Sequence, residues 1–403
     1  MPIYLDHAAT SPLRPEVLAA YTAALPLVGN PSSIHGQGQA ARELLEQGRD
    51  RVAASLGADG VEVVLTGGGT EAVNLGIKGL FWARAPRRRI VVPRAEHHAT
   101  IDSVEWLAAR EGAVLDWIDV DELGRIRLDA LEAALAVGGE DVALVTALWA
   151  NNEVGTIQPV TEIVAAAGRY GVPVHLDAIA AYGSVPIDFH AIGAAALSVS
   201  AHKIGGPVGS GALLLARSAR IEPLLHGGEQ QRARSGTQDA AGASAFGIAA
   251  ELATGEAGSP AIAAHAAHLA RLRDRLIAGI LGASDLAGIP GAVLRGDPDP
   301  ERRLPGNAHF TFAGCEGDSL LFLLDVAGFS VSTGSACQAG VPEASHVLLA
   351  MGLSEPDARG ALRFTLGPDT TASEIDALVE VLPGVVEQAR AAGLAERRPT
   401  LGR

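Results

Sequence analysis

The chain has 403 residues, 48% hydrophobic and 19% charged with 4% aromatic, so a large core built mainly from Ala, Leu, Val and Ile is expected. A formal net charge of −15 excludes a general nucleic-acid binder, which needs a basic face, though not a local basic patch for a small anion. The two cysteines, Cys315 and Cys337, cannot build a disulfide framework, and no apolar run approaches the roughly 18–20 residues of a membrane span.

The opening MPIYLDHAATSPLRPE has no basic leader ahead of an apolar run, so a soluble, cytoplasmic protein is expected. Strand and helix then alternate from residue 61. VEVVLT is a short apolar run, followed by three glycines and by TEAVNLGIKGLFWARA with helical periodicity. RIVVPRAEH reads as a strand, and ATIDSVEWLAAREG as a helix closed by Gly112. DVALVTALWANNEVG is strand into loop, VTEIVAAAGRYG helix, and VPVHLDAIAAYG strand. ALSVSAHKIGGPVGSGALLLAR reads as two strands around a glycine-rich turn. This alternation predicts an α/β fold with a mostly parallel sheet covered by helices on both faces.

After about residue 260 the character changes. AIAAHAAHLARLRDRLIAGILG is one long helical pattern, NAHFTFAGCEGDSLLFLLDVAGFSVSTG reads strand, helix, strand, and ALRFTLG onward reads strand then helix. That is a smaller α+β unit with a tail, AERRPTLGR, lacking any apolar pattern. The expected division is 15–260 for a large unit and 1–14 plus 261–403 for a small one.

Four places carry chemistry. TGGGTEAVN (66–74) serves equally as a tight strand-to-helix turn or as a phosphate cup at a helix N-terminus, with Thr70 adding a hydroxyl; it is neither a Walker loop nor G-x-G-x-x-G. Asp177 ends an apolar strand at the edge where ligands sit in such sheets, although an N-cap aspartate is the plainer reading on its own. Lys203 follows Ser200 and His202, and only one other lysine, Lys78, stands among the 31 basic residues. A lysine kept in so arginine-rich a chain suggests amine chemistry, such as a Schiff base, that a guanidinium cannot do. His97 also follows a strand end, where an imidazole can stack on a planar ligand or carry a proton. Together these are the parts that hold pyridoxal 5′-phosphate, whose ring nitrogen needs a carboxylate if the ring is to act as an electron sink.

With those residues in view, the sequence resembles the class V aminotransferases, which have the fold type I architecture of pyridoxal-phosphate enzymes, and within them the cysteine desulfurases of the bacterial iron–sulfur type. YLDHAATSP, GNPSSIHGQG, TGGGTEAVNLGIKG, EHHATIDS, NNEVGTIQP, HLDA, SAHKIGGPVGSGAL, RSGT, STGSAC and LRFTLG carry the resemblance, in that order. It implies that Lys203 is the Schiff-base lysine, that Asp177 pairs with the pyridine nitrogen, and that His97 stacks over the ring. It further implies that Gly69, Thr70, Ser200 and His202 bind the phosphate, with Thr237 reaching in from the second subunit of a homodimer. Asn152 would contact the phenolic oxygen, Arg363 would hold the substrate carboxylate, and Asn30 would lie near it.

The implied reaction converts L-cysteine to L-alanine, with Cys337 taking the sulfur as a persulfide and passing it to an acceptor protein, an iron–sulfur scaffold or a thiolation partner. Gly334, Ser335, Ala336 and Gly340 suit a loop that reaches inward and outward. Cys315 matches no motif and reads as structural. One departure stands out: the family glutamine three residues after the aspartate is Ala180 here. A slower or specialised enzyme is expected from that loss. The alternatives on the same fold are a selenocysteine lyase, a carbon–sulfur lyase or an epimerase, none of which needs a loop thiol; a rival of another class is a cofactor-bound, low-turnover scaffold for sulfur-accepting partners. No metal-ligand spacing appears.

Overall fold

Seven strands make the main sheet, in the spatial order Val63–Thr66, Gly211–Leu215, Ala196–Ser200, Val174–Asp177, Val142–Leu148, Arg89–Pro93 and Val114–Ile118. Gly211–Leu215 runs against both of its neighbours, and the other pairings are parallel. The computed structural model describes residues 2–228, 230–255, 260–282, 288–334 and 344–395. The expected α/β architecture is present, its main sheet antiparallel only where Gly211–Leu215 pairs with Ala196–Ser200 and Val63–Thr66.

The sheet is buried on both sides. Along Arg89–Pro93 and Val142–Leu148, Val91 and Val145 enter one apolar cluster while Ile90, Val92 and Leu144 enter the other. That period of two lets continuous apolar runs feed two helical layers, as parallel strands require. Val114–Ile118 escapes a reading by apolar pattern because Asp116 sits in its middle, bound to Arg89 at 2.6 Å from the neighbouring strand. The helix His98–Glu111 ends where expected, at Gly112 with φ 71°.

A second core surrounds a three-stranded antiparallel sheet, Ala361–Thr365, Asn307–Phe312 and Ala292–Arg295. Leu276, Phe310, Phe312, Leu320, Phe364 and Leu378 fill it, and Leu5 joins them from the N-terminal segment. That segment is tied down by the parallel pairing of Ile3–Tyr4 with Phe329–Ser330. Among the described residues no helix is long and apolar enough to cross a membrane.

The consequence for chemistry is positional. Val63–Thr66, Arg89–Pro93, Val142–Leu148, Val174–Asp177 and Ala196–Ser200 all point the same way. Their C-terminal ends therefore deliver Gly69, His97, Asn152, Asp177 and Lys203 to one edge, where open α/β sheets place their ligands.

Candidate active site

The strand Val63–Thr66 turns into the helix Gly69–Ala83 through Gly68, whose φ of 137° only glycine adopts readily. A Cβ at Gly68 would meet nothing within 4 Å, so open space lies in front of the turn. Behind it the backbone is packed tight: a Cβ at Gly211 would lie 2.5 Å from the Gly68 carbonyl carbon. A Cβ at Gly69 would stand 2.4 Å from Ile179 Cδ1 and 3.2 Å from Ser200 Cβ, which puts Ser200 beneath the first helical turn. Ser200 is fully buried, and its Oγ has no hydrogen-bond partner among the described residues. Thr70 exposes its side chain on the same turn. His202 Nδ1 lies 3.2 Å from Thr10 Oγ1; burial first, then Lys203, lowers its pKa to about 4. The first N–H groups of a helix have no intrahelical acceptor, so this is an anion cradle with a spare hydroxyl in its floor.

Asp177 is buried between Leu148 and Ser198 in the strand register. Its Oδ1 accepts from Ile179 N at 2.9 Å, and burial raises the carboxyl to about 6, with Ile179 and Lys203 pulling it part-way back. Lys203 donates from Nζ to Ala9 O at 2.9 Å and also bonds Ala8 O. Burial, then the charge of Arg363, brings its pKa down to about 8. A fraction of its amine is therefore neutral near neutral pH, as a nucleophile must be. His97 caps its helix, Nδ1 accepting from Ala99 N at 3.0 Å, which places the ring proton on Nε2. Burial and Lys203 lower it to about 4, so the ring is a neutral plane at physiological pH.

The small sheet supplies Arg363. Its Nη2 donates to Asp6 Oδ1 at 2.8 Å and its Nη1 to Asn152 O at 2.9 Å, while Nε is buried without a partner among the described residues. Asn152 and Lys203 line a cleft of about 430 Å³ together with Ala180, His7 and Leu304. Asn30 is exposed, and its Oδ1 accepts from Ser32 N at 2.9 Å; no hydrogen bond among the described residues joins it to Arg363. Thr237 is exposed beside Thr66 and Gly67, lining a smaller hollow behind the cradle. Cys315 is buried in the second core, as expected of a structural thiol. Cys337, with Ser335, Ala336 and Gly340, lies outside the described residues, as do residues 396–403 of the tail.

Residues 3–378 match the family model for class-V aminotransferases. The chain is 49% identical over 397 residues to an IscS-like cysteine desulfurase of Mycobacterium tuberculosis, covering 97% of this chain and 98% of that one. The chain belongs to the class-V aminotransferase family. Two solved structures are also similar: a NifS-like protein (31% identity, TM-score 0.86, covering 96% of this chain and all of that one), and SspA in complex with cysteine (29%, 0.77, 92% and all).

Pyridoxal 5′-phosphate is the cofactor. The residues of this class-V chain fit it: the orphaned Ser200 hydroxyl and the open cradle at Gly68 suit a phosphate ester, and buried Asp177 suits a pyridinium. Three groups around the site were not singled out from sequence. Asp6 orients Arg363. The carbonyls of Ala8 and Ala9 hold Lys203. Glu96, 1% exposed, takes Leu148 N at 2.8 Å and is raised to about 8 by burial, with Asp177 adding to the shift. All sit inside motifs already quoted, YLDHAATSP and EHHATIDS, which were the available signal.

Proposed function

We propose that this protein is a cysteine desulfurase, converting L-cysteine to L-alanine and handing the sulfur to an acceptor protein through a persulfide on Cys337. The single observation that carries the reading is that a pKa-lowered Lys203 and a buried Asp177 at the end of the main sheet meet a pre-oriented Arg363 from the small sheet, which bonds Asn152 O and whose charge acts on Lys203. The near-full-length similarity to a cysteine desulfurase supports it.

Bound pyridoxal phosphate supplies an electron sink for the bonds broken at the substrate's Cα and Cβ. Arg363, held by Asp6 and Asn152, presents its remaining N–H groups to the substrate carboxylate. Lys203, part neutral, takes and returns the proton at Cα. His97 offers an uncharged face and a fixed Nε2 proton. Cys337 loses its thiol proton and attacks the substrate Sγ; the Cβ–Sγ bond breaks, an S–S bond forms, and protons at Cβ and Cα complete alanine. The net change is thiol plus cysteine to persulfide plus alanine, with no external oxidant.

The same reading assigns Gly69, Thr70, Ser200 and His202 to the phosphate, Asn152 to the phenolic oxygen, Asn30 to the substrate side, and Thr237 to the partner's phosphate in a homodimer. It places the enzyme in the cytoplasm, serving an iron–sulfur scaffold or a thiolation protein. It divides the chain at 15–260 against 1–14 plus 261–403; the second core lies wholly in the latter, while Leu304, Val347, Leu348, Met351, Ala358 and Ala361 pack into the first. Ala180 leaves the family glutamine's contact unmade, so slow turnover is expected. The test is Cys337→Ala in single turnover with L-cysteine. Loss of protein-bound persulfide is expected; persulfide formed elsewhere at the wild-type rate would refute the assignment.

A further inference from the structure

A strip of three polar side chains crosses the middle of the main sheet. His175 Nδ1 lies 2.9 Å from Thr146 Oγ1 on one neighbouring strand, and its Nε2 lies 2.8 Å from Ser198 Oγ on the other. All three residues are fully buried, in a layer otherwise built from Leu144, Ala196, Leu213 and Leu215. Burial lowers the imidazole to about 3, so the ring is neutral at physiological pH. One ring nitrogen therefore donates to one hydroxyl while the other accepts from the second, and both bonds are made.

The period of two places this strip beside the cofactor residues. His175 and Asp177 share one face of Val174–Asp177, while Val174 and Leu176 enter the apolar cluster on the opposite side. Ser198 stands opposite Asp177 in the register, and Ser200, with its unpartnered hydroxyl, follows two residues later on the same strand. The His175–Ser198 bond thus ties the strand that ends in Asp177 to the strand that ends in the floor of the cradle. Thr146 ties in the strand that leads to Asn152. The helix Gly69–Ala83, whose first turn is the cradle, packs on the same strands. It meets the ring at Gly76, two turns beyond Gly69, where a Cβ would strike His175 Cδ2 at 2.5 Å.

We propose that His175 is a positioning residue for pyridoxal phosphate, fixing the spacing between Asp177 and the anion cradle. This rests on the reading that gives Asp177 the pyridine nitrogen and the cradle the phosphate; neither Cys337 nor the acceptor enters it. A planar ring carries its nitrogen and its phosphate ester at a nearly fixed separation. It uses both anchors fully only when the protein already holds them that far apart.

The test compares His175→Leu, Thr146→Val and the triple variant Thr146→Val/His175→Leu/Ser198→Ala with wild type. Urea unfolding of the apoprotein, pyridoxal phosphate affinity by absorbance titration, and competition by inorganic phosphate are measured for each. Leu135→Ala, in the cluster on the opposite side of the sheet, controls for lost stability alone. His175→Leu takes the ring away from two buried hydroxyls, so stability should fall and cofactor affinity should drop at least ten-fold. Inorganic phosphate, which needs the cradle alone, should bind within three-fold of wild type. The triple variant removes every polar member of the strip, so stability should return toward wild type. Its cofactor affinity should stay at least ten-fold down. Thr146→Val, which breaks one bond, should fall between wild type and His175→Leu. Affinity that returns with stability in the triple variant, or that falls as far in Leu135→Ala, would overturn the proposal, as would parallel weakening of phosphate and cofactor. An unmoved affinity in Asp177→Asn would instead overturn the cofactor assignment on which it rests.

Discussion

Replacing Glu96 by glutamine should stabilise the protein, and more so as pH rises. The carboxyl is buried against Asp177; Oε1 is satisfied by Leu148 N, and Oε2 has no partner among the described residues. Its pKa stands at about 8 folded against 4.5 for the free group. Between those values the folded state binds the proton and the unfolded state does not, so stability falls as pH rises through the interval. At about 1.4 kcal/mol per unit, the whole interval is worth up to about 5 kcal/mol at pH 8 and above. Glutamine keeps the acceptor for Leu148 and never ionises. Urea unfolding of wild type and Glu96→Gln in steps from about pH 5 to about pH 8.5 measures the difference, in which other titrating groups cancel. The variant's advantage should grow steadily with pH by several kcal/mol. A gap that is flat or shrinks with pH would refute the reasoning.

Three further outcomes are expected. Gly211→Ala puts a Cβ 2.5 Å from the Gly68 carbonyl carbon, a backbone contact that cannot swing aside; pyridoxal phosphate affinity should fall about ten-fold, ~1.4 kcal/mol, in an absorbance titration. Asp6→Asn removes the carboxylate that orients Arg363 at 2.8 Å, so half-saturation by L-cysteine should rise on the order of ten-fold with a smaller change in turnover. Ala180→Gln adds a donor worth about 0.5–1.5 kcal/mol beside the cleft, and should shift the pH titration of the cofactor absorbance and raise turnover; no change in either would remove Ala180 as the cause of slow turnover.

The parts of the site that sequence made legible are those set by local order. Strand ends carry Asp177 and Lys203; Gly68 holds a φ that side chains rarely adopt, and a Cβ at Gly69 would strike Ile179. Glycines and lone lysines are conspicuous in one dimension because their backbone or amine chemistry has few substitutes. Asp6 and His175 were silent for the opposite reason. A carboxylate or imidazole gains its role from what a distant segment brings to it: Asp6 meets Arg363 across 357 positions, and His175 meets Thr146 across 29 and Ser198 across 23. Val114–Ile118 was hidden by Asp116, whose charge is met only once Arg89 lies alongside. Asn30 shows the reverse: its motif was plain, but its side chain caps its own turn.

The most direct test of the central claim is the visible absorption of the purified protein with and without L-cysteine, with alanine quantified, for wild type, Lys203→Ala and Cys337→Ala. The account predicts a bound-cofactor band that changes on adding cysteine, that is lost or altered in Lys203→Ala, and alanine formed only with both residues intact. A loaded protein that makes no alanine from cysteine, or one whose band is indifferent to Lys203, would contradict it.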